Sequence, residues 1–85
     1  MAVVTYHVVL AFIRSEEGDI VATEPKEARS ADQAMRMAER LAAAEPHCGA
    51  IAFSRTGDPA AGEFEDAVVL KTIGEVDEGS LRPTV

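Results

Sequence analysis

Residues 3–13, VVTYHVVLAFI, decide the fold class, because this run is largely apolar on both of its alternating faces. One parity holds Val4, Tyr6, Val8, Leu10 and Phe12; the other holds Val3, Thr5, His7, Val9, Ala11 and Ile13. A strand with one face on a core and the other in water alternates apolar with polar. This run does so only weakly, and its second face requires a cover. An 85-residue chain has material for one modest core and little for a second covering layer. A second copy of the chain is the expected cover. The expected interface comprises Val3, His7, Val9, Ala11 and Ile13, with Val69 from the last strand.

The composition sets further limits. At 47% hydrophobic the chain is a folded domain rather than a disordered one. Three Phe, one Tyr and no Trp leave the core to small aliphatic side chains. Fifteen acidic against eight basic residues give a net charge of −7. That balance disfavours nucleic acid, whose affinity rests on Lys and Arg contacts to phosphate, and it disfavours an anionic membrane surface. A single cysteine, Cys48, excludes an internal disulfide and any multi-cysteine metal motif. No apolar run approaches a membrane span, and Met1 leads straight into a strand without a signal-peptide pattern. A cytoplasmic protein is expected, with no metal and no cofactor.

Outward from the first strand, the polar break RSEEGD (residues 14–19) reads as a hairpin turn. A short strand over residues 20–23 is expected to end at Pro25, which has no N–H to give a ladder. EPKEAR then reads as a charged connection. Ser30 and Gln33 have the spacing of a capping box, and ADQAMRMAERLAAAE carries an apolar stripe at helical spacing. Pro46 and Gly49 mark its stop. A third strand is expected over residues 50–53, extending toward Arg55, and a fourth over residues 64–73. The reading is an α+β fold: a two-layer ββαββ unit whose four-stranded, mainly antiparallel sheet carries one helix on one face. The compact domain spans residues 1–74, with an irregular tail over 75–85.

Candidate chemistry is sparse. Ser54, Arg55, Thr56 and Gly57 read as a polar turn in which a guanidinium fork and backbone N–H groups meet an anion. The plainer alternative is a hairpin loop with Arg55 paired to Glu63 or Glu65. His7 offers an imidazole in the middle of a strand, either satisfied by a neighbour or able to carry a proton beside a carboxylate. His47 and Cys48 are adjacent, which does not make a catalytic dyad, and a helix C-terminus disfavours a thiolate. The acidic pairs Glu16–Glu17, Glu63–Glu65 and Asp77–Glu78 lack the apolar surroundings that prepare a general acid.

Over residues 3–45, the hairpin followed by a capped helix loosely resembles small antitoxin domains whose partner is a ribonuclease toxin. Those domains carry an aromatic- and glycine-rich second strand and a Pro-Gly-Cys turn, where this chain has DIVATEPKEA. The resemblance implies a protein partner and transfers no functional residue. The expected function is a non-enzymatic association module, homodimeric, with no catalytic residue. The alternatives are an anion-binding domain using the Arg55–Thr56–Gly57 turn and a protein-binding domain of the antitoxin kind.

Overall fold

The computed structural model describes residues 3–77. Its elements are β1 (Val4–Arg14), β2 (Ile20–Ala22), β3 (Lys26–Ala28), α1 (Ala31–Ala43), β4 (His47–Asp58), β5 (Glu63–Phe64) and β6 (Val68–Gly74). The fold is α+β, with α1 packed on a curled antiparallel sheet. The expected ββαββ order is corrected to βββαβββ. The sheet is nonetheless four ribbons wide: β2 and β3 lie along one side of β1, and β5 and β6 along the far side of β4.

Each outer ribbon is broken for a local reason. Pro25 cannot donate to a ladder, so pairing lapses around it and resumes where His7, Val8 and Val9 meet Ala28, Glu27 and Lys26. The expected charged connection is therefore partly strand. On the far side, the break falls at Glu65, Asp66 and Ala67, two acids and a small residue between β5 and β6. The third expected strand is also longer than its apolar stretch. β4 runs from His47 to Asp58 because β1 pairs with it from Val4–Gly57 to Ile13–His47, and the ladder overrides the polar composition of residues 54–58.

The helix begins as its sequence indicates. Gln33 N–H donates to Ser30 Oγ at 3.1 Å, and Arg29 N–H donates to Gln33 Oε1 at 2.6 Å. Its fully buried residues are Ala34 and Ala38, which meet Val9, Ala11, Ala50 and Ala52. Small side chains on both sides bring the helix close to the sheet, with Met35, Met37 and Leu41 packed around that contact. In β6 a register shift pairs Lys71 with Ala52 and Val69 with Phe53, leaving Leu70 as the extra residue. Leu70 packs into the helix-side core.

The opposite face holds Leu10, Phe12, Ile51 and Phe53, none more than 7% exposed. The chain covers them itself, with Val8, Ile20, Ala22, Cys48, Ala67 and Val76 packed against the cluster. The centre of this face needs no second copy, contrary to the sequence expectation. Gly49 makes part of this possible, since a Cβ there would run into the backbone of Glu75. The chain after β6 crosses over Gly49, Glu75 N–H donates to Cys48 O at 3.0 Å, and Val76 joins the cluster. Arg14 fastens the crossing by donating to the Glu75 carboxylate and to Gly18 O. Of the tail expected over residues 75–85, residues 78–85 lie outside the described residues.

Candidate functional site

β1 and β4 outreach the helix. Thirteen helical residues span about 20 Å, whereas strands of this length span about 35–40 Å. The helix-side core stops at Val9 and Ala52. Beyond it, β1 and β4 continue together as a projection, edged by β3 at His7 and by β5 at Gly57 and Asp58, whose faces differ in chemistry.

The helix-side face of this projection is polar. Thr5 Oγ1 lies 2.9 Å from Thr56 Oγ1, and His7 Nδ1 lies 2.7 Å from Ser54 Oγ, each across one rung of the ladder. Next to them is a cleft of about 450 Å³ lined by Thr5, His7, Glu27, Ala28 and Arg29. Ala28 is buried opposite His7, so the charged residues on either side of it, Glu27 and Arg29, are exposed.

The other face of the projection carries the apolar side chains, with half-buried Arg55 opposite Tyr6. Tyr6 and Phe64 stack at a tilt, ring centroids 6.1 Å apart. Gly57 permits this, because a Cβ there would occupy the space of the Phe64 ring. Val4 pairs with Gly57, and Val69 of β6 pairs with Phe53 on this face, whereas its neighbour Val68 pairs with Ser54 on the polar face. Phe64, Val68 and Val69 are 43%, 63% and 42% exposed. A shallow cleft of about 320 Å³ joins Val3, Gly57 and Phe64 to an acidic rim of Asp58, Glu63 and Glu65.

The residues singled out from sequence are distributed differently from the expectation. Ser54, Arg55, Thr56 and Gly57 are strand rather than turn, and strand alternation divides them. Ser54 and Thr56 stand in the polar row; Arg55, half-buried, and Gly57 belong to the opposite face with Tyr6 and Val4. They do not converge on one anion. Of the expected interface, Val9 and Ala11 are buried beneath the helix and offer no surface. His7 is half-buried against Ser54, Ile13 is half-buried beside Val21, and Val3 and Val69 are exposed.

His47 and Cys48 begin β4 and have separate partners, Ala44 O and Glu75 O. Among the described residues, no group of three or more His, Cys, Asp or Glu is placed to hold a metal ion. Two exposed ion pairs shift their groups. A hydrogen bond from Lys71, then its charge, holds the Glu39 carboxyl below the usual range. Arg14 does the same to Glu75, and its own value is raised by the same hydrogen bond and charge.

Sequence reading missed the Tyr6–Phe64 pair, the Thr5–Thr56 rung, and Glu27 and Arg29. One signal was present: Thr5 and His7 are two apart, as are Ser54 and Thr56, which antiparallel pairing can align into a row. Treating residues 56–58 as loop concealed it. No helix among the described residues is long and apolar enough to cross a membrane. No protein-family model, curated protein or solved structure matches this chain.

Proposed function

We propose that this chain is a small non-enzymatic association module acting as a homodimer, joined through the apolar face of the β1–β4 projection. The observation that carries this reading is the exposure of Val4, Phe64 and Val69 on one face at one end of the sheet, beside Tyr6. Fully burying one large aliphatic or aromatic side chain contributes roughly 1.5–3 kcal/mol, whereas association costs about 4–15 kcal/mol. One such residue is too little. In a two-fold dimer every contact occurs twice, so three partly exposed residues per copy reach the lower end of the needed range.

This places the interface away from Val9 and Ala11 and keeps Val3 and Val69 from the original set. An anion site at Arg55–Thr56–Gly57 has less support, since these side chains alternate between faces.

Sedimentation equilibrium at micromolar concentration tests the proposal. The acidic rim of Asp58, Glu63 and Glu65 repels its own copy, so dimerisation strengthens as salt rises and screens it. A basic partner would show the opposite salt dependence. Phe64→Ser and Val69→Ser weaken the dimer while the monomer stays folded. A wild-type protein that is monomeric at every salt concentration overturns the reading.

A further inference from the structure

We propose that the interface between two copies continues from Val69 onto Phe53, Leu10 and Phe12, with the second copy taking the place of Glu75 and Val76, which act as a releasable strap. The proposal rests on the homodimer proposed above and extends its surface. Val4, Tyr6, Val8, Leu10 and Phe12 stand on one face of β1, and exposure along that row falls from 37% at Val4 to 7% at Leu10 and 0% at Phe12. On β4, Phe53 is 7% exposed opposite Val69, and Ile51 beyond it is fully buried. The exposed patch and the covered cluster are therefore one surface, and the strap closes its far end where the chain crosses Gly49 and Val76 packs on the cluster.

The strap is lightly held. Its contacts are a backbone hydrogen bond from Glu75 to Cys48 O, the exposed Arg14–Glu75 ion pair, and the half-buried side chain of Val76. An exposed ion pair adds little to such a hold. Gly74 supplies the pivot, since it turns the chain at a φ of +68° and glycine adopts negative φ about as readily. The dimer supplies the demand. Three partly exposed residues per copy reach only the lower end of what association needs, and uncovering Phe12 and Ile51 enlarges the apolar area that both copies bury. The buried cluster holds no polar side chain, so its occupant is apolar. A two-fold dimer sets like patch on like patch, and an apolar face is its own complement.

When each copy releases its strap before pairing, the apparent dissociation constant falls with the square of the open fraction, so a tenfold rise in that fraction tightens the dimer about a hundredfold. Sedimentation equilibrium of Val76→Ser and Arg14→Gln reads this effect. Val76→Ser removes the apolar anchor of the strap and Arg14→Gln removes its ion pair. Both variants dimerise about tenfold or more tightly than wild type although each chain is less stable. Arg14→Gln does so against the negative charge it adds. Leu41→Ala, a loss of stability on the helix side, leaves the dimer constant unchanged. In wild type, hydrogen exchange at the Glu75 amide is faster in the dimer than in the monomer, because its bond to Cys48 O is given up. Unchanged dimerisation in both variants, aggregates in place of dimers, or a Glu75 amide as protected in the dimer as in the monomer overturns the strap and leaves the dimer reading standing. If wild type is monomeric at every salt concentration, a dimeric Val76→Ser supports the strap, and a monomeric one removes both proposals.

Discussion

Lys71 Nζ lies 2.6 Å from Glu39 Oε1, so an exposed ion pair joins the outward side of the helix to β6, the long outer strand of the sheet. Arg14 and Glu75 form a second such pair just past the end of β6, linking the first hairpin to the segment that crosses Gly49. Both pairs therefore fasten peripheral segments to the central ladder.

These pairs fix the sign of the acid response. Both glutamates titrate below their ordinary value of 4.5 in the folded chain. Their contribution to stability is present above that unfolded value and is lost as pH falls through the lowered folded values. Urea melts of wild type and of the Glu39→Gln/Glu75→Gln double variant are expected to differ above about pH 4.5 and to converge in acid. Because both pairs are exposed, the difference is small and shrinks further at high salt.

The helix–sheet contact is set by Ala34 and Ala38 rather than by a large anchor. Ala38→Val inserts volume at a fully buried point and is expected to cost about 1–3 kcal/mol. Leu41 is half-buried at the margin, so Leu41→Ala is expected to cost about 1–2 kcal/mol, less than truncation of a fully buried leucine. Denaturant melts give both values. A cost for Leu41→Ala well above that for Ala38→Val would contradict this packing.

Ser30→Ala removes the acceptor for Gln33 N–H and is expected to cost about 1 kcal/mol. Gln33→Ala removes the reciprocal acceptor for Arg29 N–H. In a double-mutant cycle monitored by thermal unfolding, the two losses should be non-additive, as expected for neighbours in one network.

Gly49 and Gly18 separate two reasons for glycine. Gly18 has φ of +89° and open space around its Cβ direction, so Gly18→Ala meets only the left-handed penalty of about 1–2 kcal/mol. Gly49→Ala drives a methyl group into the backbone of Glu75 and is expected to cost more than about 2 kcal/mol, as core overpacking can. Its amide spectrum should show the largest changes at Cys48, Glu75 and Val76. A Gly49→Ala chain as stable as wild type would remove the crossing as a close contact.

The central architecture was legible in the sequence because its signals are local. The two-faced apolar run gave β1, and the Ser30–Gln33 spacing gave the helix start that the hydrogen bonds bear out. Pairing across the sheet was not legible. Nothing near Ser54 indicates that His7 lies opposite it, and the polar run at residues 54–58 resembles a loop until β1 is laid beside it. The cover over Phe12 was hidden for a similar reason. Val76 follows a Gly-Glu pair in a charged stretch, and its role depends on the absence of a side chain at Gly49.

The β1–β4 ladder also governs the order in which the chain can assemble. Its rungs join residues far apart in sequence: His7 meets Ser54 across 47 positions and Thr5 meets Thr56 across 51. Closing such loops has an entropic cost before any contact repays it, which slows folding relative to locally connected domains. The hairpin at β1–β2 and the capped helix can form without that closure; the sheet centre cannot. The same amides that are last to find their partners are shielded on both sides once they do. In native-state hydrogen exchange, Val9, Leu10, Ile51 and Ala52 should therefore open only with global unfolding, while β5 and the Ser15–Asp19 turn exchange through local fluctuations.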